Sequence, residues 1–162
     1  MSRDITKATP TIQQFWSELQ STVKKELNLD IFLVDVDRDW KVQRAYYAQG
    51  RDSLLIVNRL RKEVNLPSLT VEQNKRKVTW TMNSKHITNL DDNDENNNLS
   101  RAIDIGLKNY DGKYIGDAGA DINKDNKKDY EQIGLIGERI GNGKIKWGGR
   151  FKSPDMPHFE EV

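Results

Sequence analysis

The order of apolar patterns along this chain of 162 residues restricts its fold strongly. Apolar residues recur every three or four positions over residues 11–27, 54–64 and 130–140, which predicts amphipathic helices, and residues 42–47 also favour a helix. Short runs that are typical of strands follow at residues 31–34, 77–81, 102–105 and 144–147. Because the two patterns mix without regular alternation, we expect an α+β fold with a small, mostly antiparallel sheet packed by helices.

Length and composition exclude several classes of protein. The chain is long enough for one domain with its own core and too short for two, so residues 1–162 are expected to form a single domain. A net charge of +1 argues against a nucleic-acid partner held by bulk positive charge. The absence of cysteine excludes disulfide scaffolds, cysteine zinc sites and thiol nucleophiles.

Targeting signals are also not apparent in the sequence. No apolar run approaches the ~20 residues that a membrane helix needs, so we expect no stable association with a membrane. Residues 1–7 lack the apolar stretch of a secretory signal, and we expect the protein to begin in the cytosol.

Two histidines and one carboxylate are the candidates for a metal site. His86 follows a predicted strand, His158 lies near the end of the chain, and Asp104 lies inside an apolar strand, where a carboxylate needs a partner or a metal. Two imidazoles and a carboxylate would leave a fourth zinc position open for water, as in catalytic sites. Asp155, three residues before His158, is placed to act as a general base. By spacing alone, structural or exposed histidines are the commoner outcome.

A polar loop is the candidate for a second metal site. Oxygen-bearing residues at alternate positions resemble the first half of a calcium loop, although position 6 is not glycine and position 12 is not glutamate, so a solvated loop is the alternative. The candidate ligands are Asp121, Asn123, Asp125 and Asp129. Residues 92–96 show a similar spacing with the same defect at the end.

Three segments of the chain resemble one known family. Residues 38–43 and 47–51 match its Arg-x4-Gln…Tyr-Ala-Gln-Gly-Arg stretch. Residues 84–86 and 100–104 match its Ser-x-His and Ala-x-Asp elements, and residues 145–160 match a Trp-Gly-Gly…Asp-x-Pro-His-Phe-Glu ending. In this combination the sequence resembles the M15 family of zinc peptidases, which includes D-alanyl-D-alanine carboxypeptidases and phage endolysins of the L-alanyl-D-glutamate endopeptidase type.

The resemblance implies roles for individual residues and a Hedgehog/DD-peptidase-like fold. His86, Asp104 and His158 match the zinc ligands. Asp155 matches the catalytic acid and base, with Glu160 the next candidate, and Arg38 matches the arginine that stabilises the oxyanion. Arg51 lies in a matching segment, and both a functional and a structural role remain open for it.

One departure from the family lies inside the zinc motif. The family separates its first histidine and its aspartate by seven residues, whereas His86 and Asp104 are eighteen apart. Residues 89–99 therefore resemble an inserted polar loop, which we expect to protrude near the active-site mouth, and Ser100 replaces the family's glycine. The competing carboxylate ligands are Asp91, Asp92 and Asp94. We favour Asp104 because it alone has the Ala-x-Asp strand context.

The resemblance also implies an activity and a setting. The expected protein is a zinc-dependent phage endolysin, with calcium as a candidate regulator, that cleaves the L-Ala–D-Glu bond of the peptidoglycan stem peptide. A D-Ala-D-Ala carboxypeptidase and a non-catalytic wall-binding module are the alternatives. We expect a monomer without a separate wall-binding domain, which accumulates in the host cytoplasm until a holin opens the membrane.

Overall fold

A computed structural model describes residues 2–88 and 98–162 of the chain. The helices are α1 (Pro10–Leu27), α2 (Trp40–Ala48), α3 (Leu54–Glu63), α4 (Val71–Asn74) and α5 (Asp129–Gly141). The strands are β1 (Asp30–Asp35), β2 (Arg38–Asp39), β3 (Ile87–Thr88), β4 (Ala102–Lys108), β5 (Tyr114–Ile115), β6 (Ile145–Trp147) and β7 (His158–Glu161).

The main sheet is antiparallel, with strand order β1-β4-β7-β6 and with β5 paired to β4. The short strands β2 and β3 form a separate parallel pair. This architecture confirms the predicted α+β fold with a small, mostly antiparallel sheet packed by helices. That the chain has no separate wall-binding domain stays a prediction.

Helices α1 and α5 pack on each other and against the main sheet. Helix α1 begins cleanly because the Thr9 side chain accepts a hydrogen bond from the Ile12 amide and Pro10 occupies its first turn. Helix α5 can approach the sheet closely because Gly137 has no side chain: a Cβ at this position would lie 2.3 Å from the Phe159 ring. Within the described part of the chain, no helix is long and apolar enough to cross a membrane.

A second, smaller cluster joins α2 and α3. Ala45, Ala48, Val57 and Leu60 are buried together there. The strand predicted at residues 77–81 is wrong: this segment has no regular structure and lies against α2 instead. Its alternating side chains do not pair with a neighbouring strand, because side chains of α2 and of the α2–α3 turn take up its backbone carbonyls.

Candidate metal centre

The register of the main sheet brings Asp104 and His158 together. Strands β4 and β7 pair antiparallel with Asp104 opposite His158, and the Ile105 amide donates to the Pro157 carbonyl 3.0 Å away. Side chains directly opposite each other in a sheet lie on the same face. The two predicted ligands are therefore fixed by backbone pairing although 54 residues separate them.

The parallel pair of β2 and β3 brings His86 to the same place. The Arg38 amide donates to the His86 carbonyl at 2.9 Å, so backbone pairing fixes the position of His86 relative to β2. Nδ1 of the buried His86 ring lies 2.8 Å from the Val36 carbonyl. Because a carbonyl oxygen only accepts hydrogen bonds, Nδ1 must carry the proton. Nε2 then keeps its lone pair, which can bind a metal.

Three ligand atoms converge in this way. His158 Nδ1 lies 2.9 Å from Asp104 Oδ1, and His86 Nε2 lies 3.3 Å from both of these atoms. In the part of the chain that the structure describes, these residues form the one group of three or more His, Cys, Asp or Glu whose ligand atoms all lie within 4.8 Å of one another. Two imidazole nitrogens and a carboxylate oxygen fit a catalytic zinc site, and the group could hold a metal ion.

The second ring nitrogen of His158 also has a partner. Nε2 lies 3.0 Å from Glu160 Oε2, so the carboxylate orients the ring and leaves Nδ1 facing Asp104. Carboxylate partners of this kind fix the tautomer of metal-binding histidines. Glu160 is the next candidate for the base after Asp155 in the sequence analysis, and in the structure its carboxylate contacts Nε2 of His158, the ring nitrogen that faces away from Asp104.

Asp104 and His158 stabilise each other's charged form. Burial opposes ionisation of both side chains, but the hydrogen bonds between them prevail. The hydrogen bond from His158 and, after it, the proximity of His86 hold the pKa of Asp104 well below its usual range. The bonds to Asp104 and Glu160 raise the pKa of His158 to about 9.

Asp155 lies at the lining of the same cleft and is exposed to solvent. Its amide donates to the Gly148 carbonyl at 3.0 Å, and its carbonyl accepts from the His158 amide. A Cβ at Gly148 would lie 2.5 Å from the Asp155 carbonyl oxygen, so the Trp-Gly-Gly element makes room for this turn. Although Asp155 stays exposed, the surrounding cleft removes part of its solvation, and this partial loss together with the negative charge of Asp104 raises the pKa of Asp155, whereas His158, His86 and Arg38 oppose the rise.

Arg38 lines the cleft, and Asp35 and Gln43 hold its guanidinium group in place. Nη2 pairs with the buried Asp35 carboxylate, and Nη1 donates to Gln43 Oε1 at 2.7 Å. The Gln43 side chain is fully buried, and its Nε2 donates to Thr79 Oγ1 and to the Thr81 carbonyl. Gln43 thus joins Arg38 to the irregular segment that forms one wall of the cleft.

The cleft has a volume of about 570 Å³. Residues 78–81 form one wall and residues 151–155 another, with the three candidate ligands and Arg38 also in the lining. The exposed Trp80 and the half-buried Phe151 give each wall an aromatic side chain. The candidate metal ligands thus lie between two walls that each offer an aromatic surface to a ligand.

Arg51 has a structural place in this fold. Nη1 donates to the Tyr47 carbonyl at 2.6 Å and Nη2 to the Thr79 carbonyl at 3.1 Å. Its guanidinium carbon lies 3.9 Å from the centre of the Tyr47 ring, which is a close cation–π contact. Arg51 therefore supports the cleft wall from outside the cleft.

The competing ligands Asp91, Asp92 and Asp94 lie outside the described residues, as does most of the predicted protruding loop. The structure brings Asp104, rather than another described carboxylate, to both histidines. The catalytic roles of Asp155 and Arg38 stay predictions that this arrangement supports.

Three of the candidate calcium ligands, Asp121, Asn123 and Asp125, lie in the loop before α5, and Asp129 is the first residue of α5. The four do not form a group as compact as the histidine cluster. The Asp121 carboxylate accepts from the amides of Asp125 and Asn126, both at 3.0 Å, and Asp129 Oδ2 accepts from the Ile122 amide at 2.7 Å. Asn123 Nδ2 lies 3.5 Å from Asp125 Oδ2. The fully buried Asp129 keeps its second oxygen, Oδ1, without a hydrogen-bond partner among residues 2–88 and 98–162.

Sequence reasoning missed the residues that support the site. Asp35 and Gln43 gave no signal of their own, although Gln43 is the glutamine of the Arg-x4-Gln stretch. Their contacts with Arg38 depend on how β2 and α2 follow each other in space. Its place in the Arg-x4-Gln stretch is the signal that could have identified Gln43.

Comparison with known proteins finds a similar fold among the solved structures. No family model and no curated protein matches the chain. The fold is similar to that of the L-Ala D-Glu endopeptidase ChiX of Serratia marcescens, with a TM-score of 0.52 and 14% sequence identity. The match covers 98% of this chain and 83% of that protein. At this identity the likeness shows a shared fold.

Proposed function

We propose that this protein is a zinc-dependent peptidoglycan peptidase that cleaves the L-Ala–D-Glu bond of the stem peptide. The convergence of His86 Nε2, His158 Nδ1 and Asp104 Oδ1 in the lining of the cleft carries the proposal, because a zinc ion held by two imidazoles and one carboxylate would keep a coordination position for water. The fold shared with an L-Ala D-Glu endopeptidase supports the choice of substrate and bond.

The residues around the ligands have complementary chemical roles. Zinc held at this site would polarise the scissile carbonyl and acidify water. Asp155 accepts a proton from the attacking water and returns that proton to the leaving amine. The Arg38 guanidinium, held by Asp35 and Gln43, donates to the oxyanion as the carbonyl becomes tetrahedral.

The products of digestion test the bond. Purified peptidoglycan is incubated with the zinc-loaded protein, and the fragments are analysed by mass spectrometry. We expect new amino termini on D-Glu and new carboxyl termini on L-Ala. Release of terminal D-Ala would instead assign the carboxypeptidase alternative, and sacculi that bind the protein without new termini would assign the wall-binding alternative.

The proposal extends to a second metal. We propose that the loop of Asp121, Asn123, Asp125 and Asp129 binds calcium and thereby stabilises the start of α5. The buried Oδ1 of Asp129 supports this: it has no hydrogen-bond partner in the described part of the chain, and such an oxygen is a ready ligand for a hard cation. Phage origin, release through a holin and the monomeric state stay proposals that follow from the family resemblance.

A further inference from the structure

Positive charge is concentrated in one part of the chain. Residues 38–88 contain 11 Lys and Arg but 4 Asp and Glu, a net +7, whereas the whole chain carries +1. Several of these cations are engaged within the protein: Arg61 is buried, and the half-buried Arg38 and Arg51 donate hydrogen bonds to neighbouring groups. The exposed ones are Lys41, Arg44, Arg59, Lys62, Lys75, Arg76 and Lys77.

Three of the exposed cations are consecutive and lead into the cleft. Lys75, Arg76 and Lys77, which we call the basic ridge, are followed directly by residues 78–81 of the cleft wall. Lys75 pairs with Glu72, whereas Arg76 and Lys77 make no ion pair within residues 2–88 and 98–162. Their charges are therefore available to an anionic partner.

Apolar surface accompanies this charge at the mouth of the cleft. Val78 is 53% exposed and Trp80 is 71% exposed, and Lys77 Nζ lies 5.5 Å from the centre of the Trp80 ring. A large aromatic ring left in solvent beside cations and a cleft is typical of a binding surface.

The ridge is held in place before any partner arrives. Gln49 Nε2 donates to the Gln73 carbonyl at 3.1 Å, and Asn74 Nδ2 donates to the Asp52 carbonyl at 3.0 Å. Gly50 adopts φ +77°, and a Cβ there would lie 2.8 Å from the Lys77 amide nitrogen. The turn between α2 and α3 thus packs directly against the ridge, so little ordering of its backbone is needed on binding.

We propose that the basic ridge and Trp80 form a binding surface for the peptidoglycan polymer beyond the stem that is being cleaved. Neighbouring stem peptides carry free carboxylates, which complement the ridge, and the surface is continuous with the cleft wall. The inference rests on the proposed function, since it takes the substrate to be an anionic polymer rather than a short soluble peptide.

A charge-reversal pair tests this surface. Arg76→Glu/Lys77→Glu is compared with Lys25→Glu/Lys113→Glu, which changes the net charge equally at exposed positions outside the cleft lining. Binding to intact sacculi is measured by co-sedimentation in an Asp155→Asn background, and the ratio of turnover on sacculi to turnover on a soluble stem peptide is measured in the active protein.

We expect the ridge variant to lose roughly tenfold in binding to sacculi at low salt and to show a lower turnover ratio, with the difference shrinking as salt rises. Equal effects in both variants, or no effect in either, would overturn the proposal. Lost binding to anionic phospholipid vesicles with unchanged binding to sacculi would assign the ridge to a membrane instead. Co-sedimentation measures binding and needs no cleavage, so it tests the ridge alone. A wild-type protein that binds sacculi but does not cleave them would refute the proposed function and leave the binding surface in place.

Discussion

The ring nitrogens of His86 and His158 that face away from Asp104 each have a partner of their own. The Val36 carbonyl fixes the His86 ring at Nδ1, and the Glu160 carboxylate fixes the His158 ring at Nε2. The same imidazole group is thereby presented through different nitrogens, Nε2 in one histidine and Nδ1 in the other. Such partners preorganise a site, since the rings need not search for the ligating rotamer.

The role of Glu160 can be separated from that of a general base. Glu160→Ala removes the partner of His158 Nε2, so we expect zinc affinity to fall about 10–100-fold. Glu160→Gln keeps an oxygen that can accept from Nε2 and is expected to retain most of the affinity. The measurement is competition for zinc with a chelator of known affinity. Unchanged affinity in Glu160→Ala would show that the contact does not orient the ligand.

The support of Arg38 by Gln43 gives a second prediction at the residue scale. Gln43→Leu keeps the approximate volume but leaves Arg38 Nη1 and the Thr81 carbonyl without this partner. We expect the free energy of unfolding to fall by about 1.5–3 kcal/mol, the cost of breaking a buried hydrogen bond to a charged group. kcat should fall while zinc binding is retained. Loss of zinc together with kcat would instead indicate a general collapse of the site.

At the scale of elements, strand pairing and short turns carry the ligands to one place. Strand β4 sets Asp104 against β7, and the turn of residues 155–157 is fixed on both sides by Gly148 and Ile105. Because Asp155 lies on this turn, its position follows from packing of the backbone rather than from contacts of its own side chain.

The close approach at Gly148 makes that turn testable. Gly148→Ala adds a Cβ 2.5 Å from the Asp155 carbonyl oxygen, so the turn must shift. We expect a loss of about 1–3 kcal/mol in stability and a marked loss of turnover, because the proposed base moves with the turn. Thermal unfolding and turnover are the measurements.

Gly119→Ala is the matched control, since its added Cβ would make ordinary contact at 3.4 Å with the Asp117 side chain. It should change neither quantity appreciably. A fully active Gly148→Ala protein would show that the position of Asp155 tolerates movement of the turn.

The loop before α5 allows a calcium prediction with a defined sign. Burial, together with the charges of Asp121 and Asp125, raises the pKa of Asp129, although the Ile122 amide opposes the rise. A raised carboxyl pKa means that the contribution of Asp129 to stability is present at low pH and is lost as pH rises through the folded-state pKa. Calcium favours the ionised form and should reverse this loss.

Asp129→Asn is therefore expected to raise the Tm at neutral pH without calcium and to abolish the increase in Tm that calcium gives the wild type. The scan is repeated with magnesium as the control ion. An equal calcium response in both proteins would exclude Asp129 as a ligand.

For the whole molecule, the sequence could predict those elements whose side chains repeat with a clear period. Helices α1 and α5 and strands β1, β4 and β6 were predicted because their apolar residues form one buried face. Strand β7 was missed because His158 and Glu160 occupy it in place of apolar residues. The segment of residues 77–81 alternates like a strand, but contacts from Gln43 and Arg51 override that local preference.

The candidate site shows a similar division. Spacing alone could not select His86, Asp104 and His158, because the sequence does not show the path of the loops that separate them. The family resemblance selected these residues. Strand pairing explains how they meet in space. Asp35, Gln43 and the orienting role of Glu160 depend on distances between elements that a sequence pattern does not contain.

The central claim is tested most directly by adding zinc stepwise to the metal-depleted protein. At each step, the measured quantity is the rate at which new amino termini are released from peptidoglycan. We predict that the rate rises in proportion to added zinc and saturates at one ion per chain, and that His86→Ala shows neither binding nor cleavage. Full cleavage before zinc is added, or one bound zinc per chain without any cleavage, would contradict the account.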